Sequence, residues 1–173
     1  MIVILIGYMA SGKSSLGKLL AKKSDFDFID LDDYIEEKEG LSVKNIFTDK
    51  GEIYFRRAES AYLNEIINQK DNVILSLGGG TPCYGNNMEI ILKSKNVKSI
   101  YLKASIASLI KRLKNKKDRR PLISHLESEE ELSEFIGKHL FERSVFYDQA
   151  QHKVVTDNKN KNEIVEEIYS TLI

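Results

Sequence analysis

The sequence predicts an α/β fold in three layers: a five-stranded parallel sheet with helices on both faces. Two observations carry this reading. Short β-rich runs at Ile2–Ile6, 26–31, 72–77, 97–102 and 152–156 alternate with helical patterns, and such alternation implies parallel strands joined by helical crossovers. Several runs, such as Val73-Ile74-Leu75, are continuously apolar, as strands covered on both faces are. In a sheet of this kind, ligands bind beyond the carboxyl ends of the strands.

Composition narrows the class. At 173 residues, 42% hydrophobic and 30% charged, the chain fits one soluble globular domain with a real core. Lys+Arg and Asp+Glu are each 26, so the net charge is zero. Bulk electrostatics therefore offers nothing to nucleic acid or an anionic membrane, and any affinity for phosphate must be local. Cys83 stands alone, so it forms no internal disulfide and no metal site by itself; it is expected to pack. The first apolar run is too short for a signal peptide or a membrane span, which makes a cytoplasmic enzyme the expectation.

The first strand leads into Gly7-Tyr8-Met9-Ala10-Ser11-Gly12-Lys13-Ser14, after which leucines recur at helical spacing. Strand, glycine loop and helix with G-x-x-x-x-G-K-[ST] spacing make a P-loop, which binds a nucleoside triphosphate. Glycines let backbone N–H groups close around phosphate oxygens, and the helix N-terminus adds partial positive charge. Met9, Ala10, Ser11, Gly12, Lys13, Ser14 and Ser15 are therefore the candidate nucleotide-binding loop. Lys13 reaches the β- and γ-phosphates, and the Ser14 hydroxyl is placed for Mg²⁺.

The second strand, expected beside the first, ends in Asp30-Leu31-Asp32-Asp33. Acidic residues at a helix start cap it and complement its dipole, which is the whole role expected of Asp33. Asp30 and Asp32, two apart at a strand's carboxyl end, fit either that role or a metal shell and a substrate hydroxyl. Next come Arg56 and Arg57. Adjacent arginines usually make a solvated helix face, but arginine at a helix start opposes the dipole and hints at an anion, whose carboxylate a guanidinium fork matches.

Further along, Ala58, Ala61, Tyr62, Ile66 and Ile67 mark one helix; Ile106, Leu109, Ile110 and Leu113 mark a second. Ser128 with Glu131, and Asn160 with Glu163, are capping boxes that open the last two long helices, the final one striped by Ile164, Val165, Ile168 and Leu172. The third strand runs into Gly78-Gly79-Gly80, and three glycines after a parallel strand favour close approach of backbone to ligand. The segment 114–120 holds five basic residues in seven and is followed by Pro121. A lid over about 114–126 that closes on phosphates suits it better than a nucleic-acid patch, since aromatics do not interleave the charges.

With these segments in order, the chain resembles the shikimate kinases over residues 1 to about 156. The resemblance is carried by the P-loop, D-x-D-x-x-I-E from Asp30 to Glu36, F-R-R-x-E from Phe55 to Glu59, G-G-G from Gly78 to Gly80, and R-P-L from Arg120 to Leu122. It implies a nucleoside-monophosphate-kinase-like fold and transfer of the ATP γ-phosphoryl group to the 3-hydroxyl of shikimate. By the same resemblance Ser14 holds Mg²⁺ directly, with Asp30 and Ser76 acting through water, and Asp32 is the candidate base. Arg56, Arg143 and the Gly78, Gly79 and Gly80 backbone bind shikimate, the arginines taking its carboxylate, while Phe47, Phe55 and Glu59 wall the pocket. The substrate-binding segment is about 31–60, Arg120 is the lid cation, and Arg112 is the adenine-side arginine. A monomer is expected.

One departure stands out. The family pattern G-x-M-G-x-G-K-[ST] has glycine where this chain has Ala10, and alanine costs about 1 kcal/mol there if the backbone needs positive φ. The nearest alternatives are another small-molecule P-loop kinase, for gluconate or a nucleotide, and a nucleotide-binding module with little turnover. The D-x-D, F-R-R-x-E and G-G-G set separates the first, and retention of Lys13, Asp32, Arg56, Arg120 and Arg143 the second.

Overall fold

The computed structural model describes residues 1–114 and 123–173. The chain runs β1 (Ile2–Ile6), α1 (Lys13–Ser24), β2 (Asp27–Asp30), α2 (Leu31–Glu39), α3 (Val43–Lys50), α4 (Glu52–Gln69), β3 (Val73–Ser76), a 3₁₀ turn (Thr81–Cys83), α5 (Asn87–Lys93), β4 (Val97–Lys103), α6 (Ile106–Leu113), α7 (Glu129–Tyr147), β5 (His152–Val155) and α8 (Lys161–Ser170). The strands form one parallel sheet in the order β2-β3-β1-β4-β5. The expected class is the observed one.

Period-two alternation explains the layers. Ile2, Ile4 and Ile6 of β1 enter a core with Leu63 and Ile66 of α4, Leu109 of α6 and Ile136 of α7. Val3 and Leu5 point the other way, into a core with Leu16 and Leu20 of α1 and Ile164 and Ile168 of α8. All five β1 residues are buried because both faces are covered. Both capping boxes are closed: Glu131 N donates to Ser128 Oγ at 3.0 Å and Glu163 N to Asn160 Oδ1 at 3.0 Å. Glu39, the last residue of α2, ties that helix to its neighbours, accepting from Lys50 of α3 and from Tyr54 and Tyr62 of α4.

Three local expectations need correction. β2 does not lie beside β1, because β3 sits between them. Helix α1 carries the chain past one strand position on one face, and α4 returns β3 into it across the other. The residue that caps α2 is Asp30 rather than Asp33, since the helix already begins at Leu31 and the Asp30 side chain accepts from Asp32 N. Arg56 is not at a helix start, because α4 opens four residues earlier at Glu52. Its inward orientation therefore has another cause.

Candidate active site

The P-loop folds over its own lysine. Lys13 Nζ donates to Gly7 O at 2.8 Å and Tyr8 O at 3.0 Å. Helix α1 starts on Gly12 in the left-handed region (φ 102°), and no side chain caps it, so its first N–H groups face the loop as an anion site. Ala10 also has positive φ, 62°. The strain anticipated for alanine is present, and Arg112 Nη1 reaches across to bond the Ala10 carbonyl at 3.0 Å. Ala10→Gly should therefore raise stability by about 0.5–1 kcal/mol, roughly 2–3 °C in Tm. A fall in Tm in thermal denaturation would show that the alanine is not strained.

Sheet register brings the acidic and hydroxyl groups to this loop. Asp30 pairs with Ser76, and Ser76 with Leu5, so all three lie at the carboxyl end of neighbouring strands. Ser14 Oγ donates to Asp30 Oδ2 at 2.8 Å, and Asp30 Oδ1 accepts from Asp32 N at 3.2 Å. These are hard oxygen donors of the kind Mg²⁺ takes. Among the described residues no group of three or more His, Cys, Asp or Glu is placed to hold a metal unaided. The donor set therefore fits a cation that draws its other ligands from phosphate and water. Burial first, then the Asp30 and Glu59 carboxylates, push the Asp32 carboxyl up to about 6 against the pull of Lys13.

A cavity of about 910 Å³ spans this region. It is lined by P-loop residues 9–16 and by Asp30, Asp32, Ser76, Gly78, Gly79 and Arg112. Thr156, Lys159 and Asn160 of the loop after β5, with Lys161 and Ile164 of α8, close it from the other side. No local pattern in the sequence announces that wall, because nothing near it in the chain ties the loop to the P-loop. Parallel order does so by placing β5 two strands from β1.

Glu59, Arg143 and Arg56 stand against the triple glycine, outside the cavity lining. A Cβ at Gly78 would lie 3.2 Å from Asp32 Oδ1 and 3.3 Å from Glu59 Oε1; at Gly79, 2.9 Å from Arg143 Nη1; at Gly80, 2.7 Å from Arg56 Nη2. The protein's own charged side chains thus also come close to these glycines. Glu59, 1% exposed, turns Arg56 inward: Arg56 Nη1 donates to Glu59 Oε2 at 2.9 Å, and Thr81 Oγ1 donates to Glu59 Oε1. Tyr84 stacks on Arg56 with the guanidinium carbon 4.0 Å from the ring centroid, a contact no sequence signal announced. Arg57 stays exposed, as the solvated-face reading expected.

Phe47 and Phe55 stack with centroids 4.6 Å apart, Phe55 buried and Phe47 36% exposed. Cys83 is a half-buried residue whose thiol burial pushes up to about 11, which suits a packing role. Tyr8 shares a hydrogen bond with His139 Nδ1 at 3.0 Å, joining the P-loop to α7. Arg120 and most of the expected lid lie outside the described residues; of the flanks, Ile123 is buried and Lys114 faces Glu129 at 3.9 Å.

Known proteins share this arrangement of sequence and fold. A family profile described as shikimate kinase matches residues 9–173. A shikimate kinase of Flavobacterium psychrophilum is 48% identical over 170 residues, 98% of each chain. The crystal structure of shikimate kinase from Bacteroides thetaiotaomicron superposes with a TM-score of 0.89 at 36% identity, over 99% of this chain and 98% of that one. Shikimate kinase from Acinetobacter baumannii, solved in complex with shikimate, superposes with a TM-score of 0.83 at 26% identity, over 99% of this chain and 92% of that one.

Proposed function

The chain belongs to the shikimate kinase family, and we propose that Lys13, Asp32, Arg56 and Arg143 carry its reaction. It is an ATP-dependent kinase that transfers the γ-phosphoryl group to the 3-hydroxyl of shikimate, giving shikimate 3-phosphate and ADP on the route to aromatic amino acids. One observation supports the residue assignment most. Three consecutive glycines are met in turn by Asp32, Arg143 and Arg56, so a proton acceptor and two carboxylate forks share one short wall.

In this reading the Asp32 carboxylate accepts the 3-hydroxyl proton as the oxygen bonds to the γ-phosphorus and the bond to ADP breaks. Arg56 and Arg143 hold the substrate carboxylate with the Gly78, Gly79 and Gly80 backbone, and Phe47, Phe55 and Glu59 close the pocket within segment 31–60. Lys13 offsets charge developing on the transferred group, and Arg112 and Arg120 complete the nucleotide side. Ser14, with Asp30 and Ser76 through water, would hold Mg²⁺, which when bound neutralises phosphate charge. Every residue comes from one chain, so the site is proposed to work as a monomer.

A coupled ADP-release assay tests this. Turnover is expected with shikimate and not with gluconate or nucleoside monophosphates; equal turnover on gluconate would overturn the substrate assignment. Lys13→Met should lower kcat by at least ~10², the scale for losing one preorganised donor to developing charge. Turnover near that of the unmodified enzyme would remove Lys13 from the catalytic set.

A further inference from the structure

Helix α7 presents His139, Arg143 and Tyr147 at intervals of four residues, on one face. That face meets both ligand-facing loops. His139 bonds Tyr8 of the P-loop, Arg143 lies against Gly79, and the Tyr147 hydroxyl donates to Gly79 O at 2.6 Å. Tyr147 is fully buried, and its ring packs on Tyr101 with centroids 5.3 Å apart. A Cβ at Gly79 would lie 2.9 Å from Arg143 Nη1 and 3.6 Å from Tyr147 Oη. The two side-chain tips therefore converge on the same side of Gly79.

We propose that Tyr147 is a positioning residue for substrate binding: its phenol holds the Gly79 carbonyl and the Arg143 guanidinium at a fixed separation. A phenol has one O–H to donate, and Gly79 O takes it, so toward any other neighbour the oxygen can only accept. Arg143 is such a neighbour, and its charge partly opposes the rise that burial imposes on the Tyr147 hydroxyl. Planarity of the peptide adds a second consequence. Fixing the Gly79 C=O also fixes the direction of the Gly80 N–H on the other side of that peptide. One hydroxyl thereby sets a guanidinium and a backbone donor together.

This inference rests on Arg143 as carboxylate binder, and the test separates the two. Tyr147→Phe keeps the ring and its packing on Tyr101 while deleting the hydroxyl. The shikimate KM should rise about tenfold, the scale of one hydrogen bond involving a charged group, with the ATP KM unchanged and kcat within about threefold. In an Arg143→Ala background the same substitution should add less than twofold, because the residue it positions is gone. If Arg143→Ala raises the shikimate KM but Tyr147→Phe does not, or if the tenfold effect persists in full without Arg143, the positioning role is overturned. If Arg143→Ala itself leaves the shikimate KM unchanged, the substrate assignment fails and this inference falls with it.

Discussion

Asp32→Asn should lower kcat by about 10²–10⁴, the range for a positioned general base, and at the same time make the ligand-free protein more stable. The two effects have one cause. Asp32 is held in a half-buried place beside two carboxylates, where burial leads the causes that raise its carboxyl from 3.8 to about 6. Because the folded state holds that proton more tightly than the unfolded chain, the stabilisation is complete below about pH 4. It is lost as pH rises through about 6. At neutral pH the ionised side chain is therefore a liability of roughly 2–3 kcal/mol, which asparagine removes.

Thermal denaturation in metal-free buffer at pH 7.5 should show Asp32→Asn melting several degrees higher. The gap should close as pH falls from about 6 to about 4. An unchanged kcat would remove Asp32 from the chemistry. A variant less stable than the parent at pH 7.5 would show that Asp32 holds the loop together instead of burdening it.

Arg143→Ala should raise the shikimate KM by at least about 30-fold while leaving the ATP KM in place. That follows from the 2–5 kcal/mol lost when one partner of a desolvated, hydrogen-bonded charge pair is removed. Arg56→Ala should raise the same KM, but it carries a second penalty that the structure makes specific. Its partner Glu59 is 1% exposed, and an uncompensated buried charge costs about 3–5 kcal/mol. Arg56→Ala should thus melt lower by roughly 6 °C or more, whereas Arg143→Ala should not. Kinetics and melting curves of both variants check the pair. A rise in the ATP KM would move these arginines to the nucleotide side, and an unchanged Tm in Arg56→Ala would show that Glu59 does not depend on it.

Whatever depends on neighbours in the chain was legible in the amino-acid sequence. Strands and helices were legible because apolar spacing of two or 3.6 residues reports which face will be buried. Both capping boxes were legible because their hydrogen bonds close within three residues, and the P-loop because its spacing is its geometry. Even the strain at Ala10 was conditional only on one dihedral angle, which the structure supplies as φ 62°. The five motifs also carried the family, which the comparisons then established.

Tertiary structure decided what depends on residues far apart. Strand order placed β3 between β1 and β2, and so brought Ser76 into register with Asp30; no local pattern encodes which strand a crossover skips. Of the adjacent arginines, Arg56 turns inward because buried Glu59 pairs with it, while the macrodipole first suspected plays no part there. The triple glycine was legible as a place of close approach, but only the fold brings Asp32, Arg143 and Arg56 to it from three different helices. Tyr147 shows the boundary most clearly. Its spacing from Arg143 was readable as one helix face, but only the fold brings Gly79 O to within 2.6 Å of its hydroxyl.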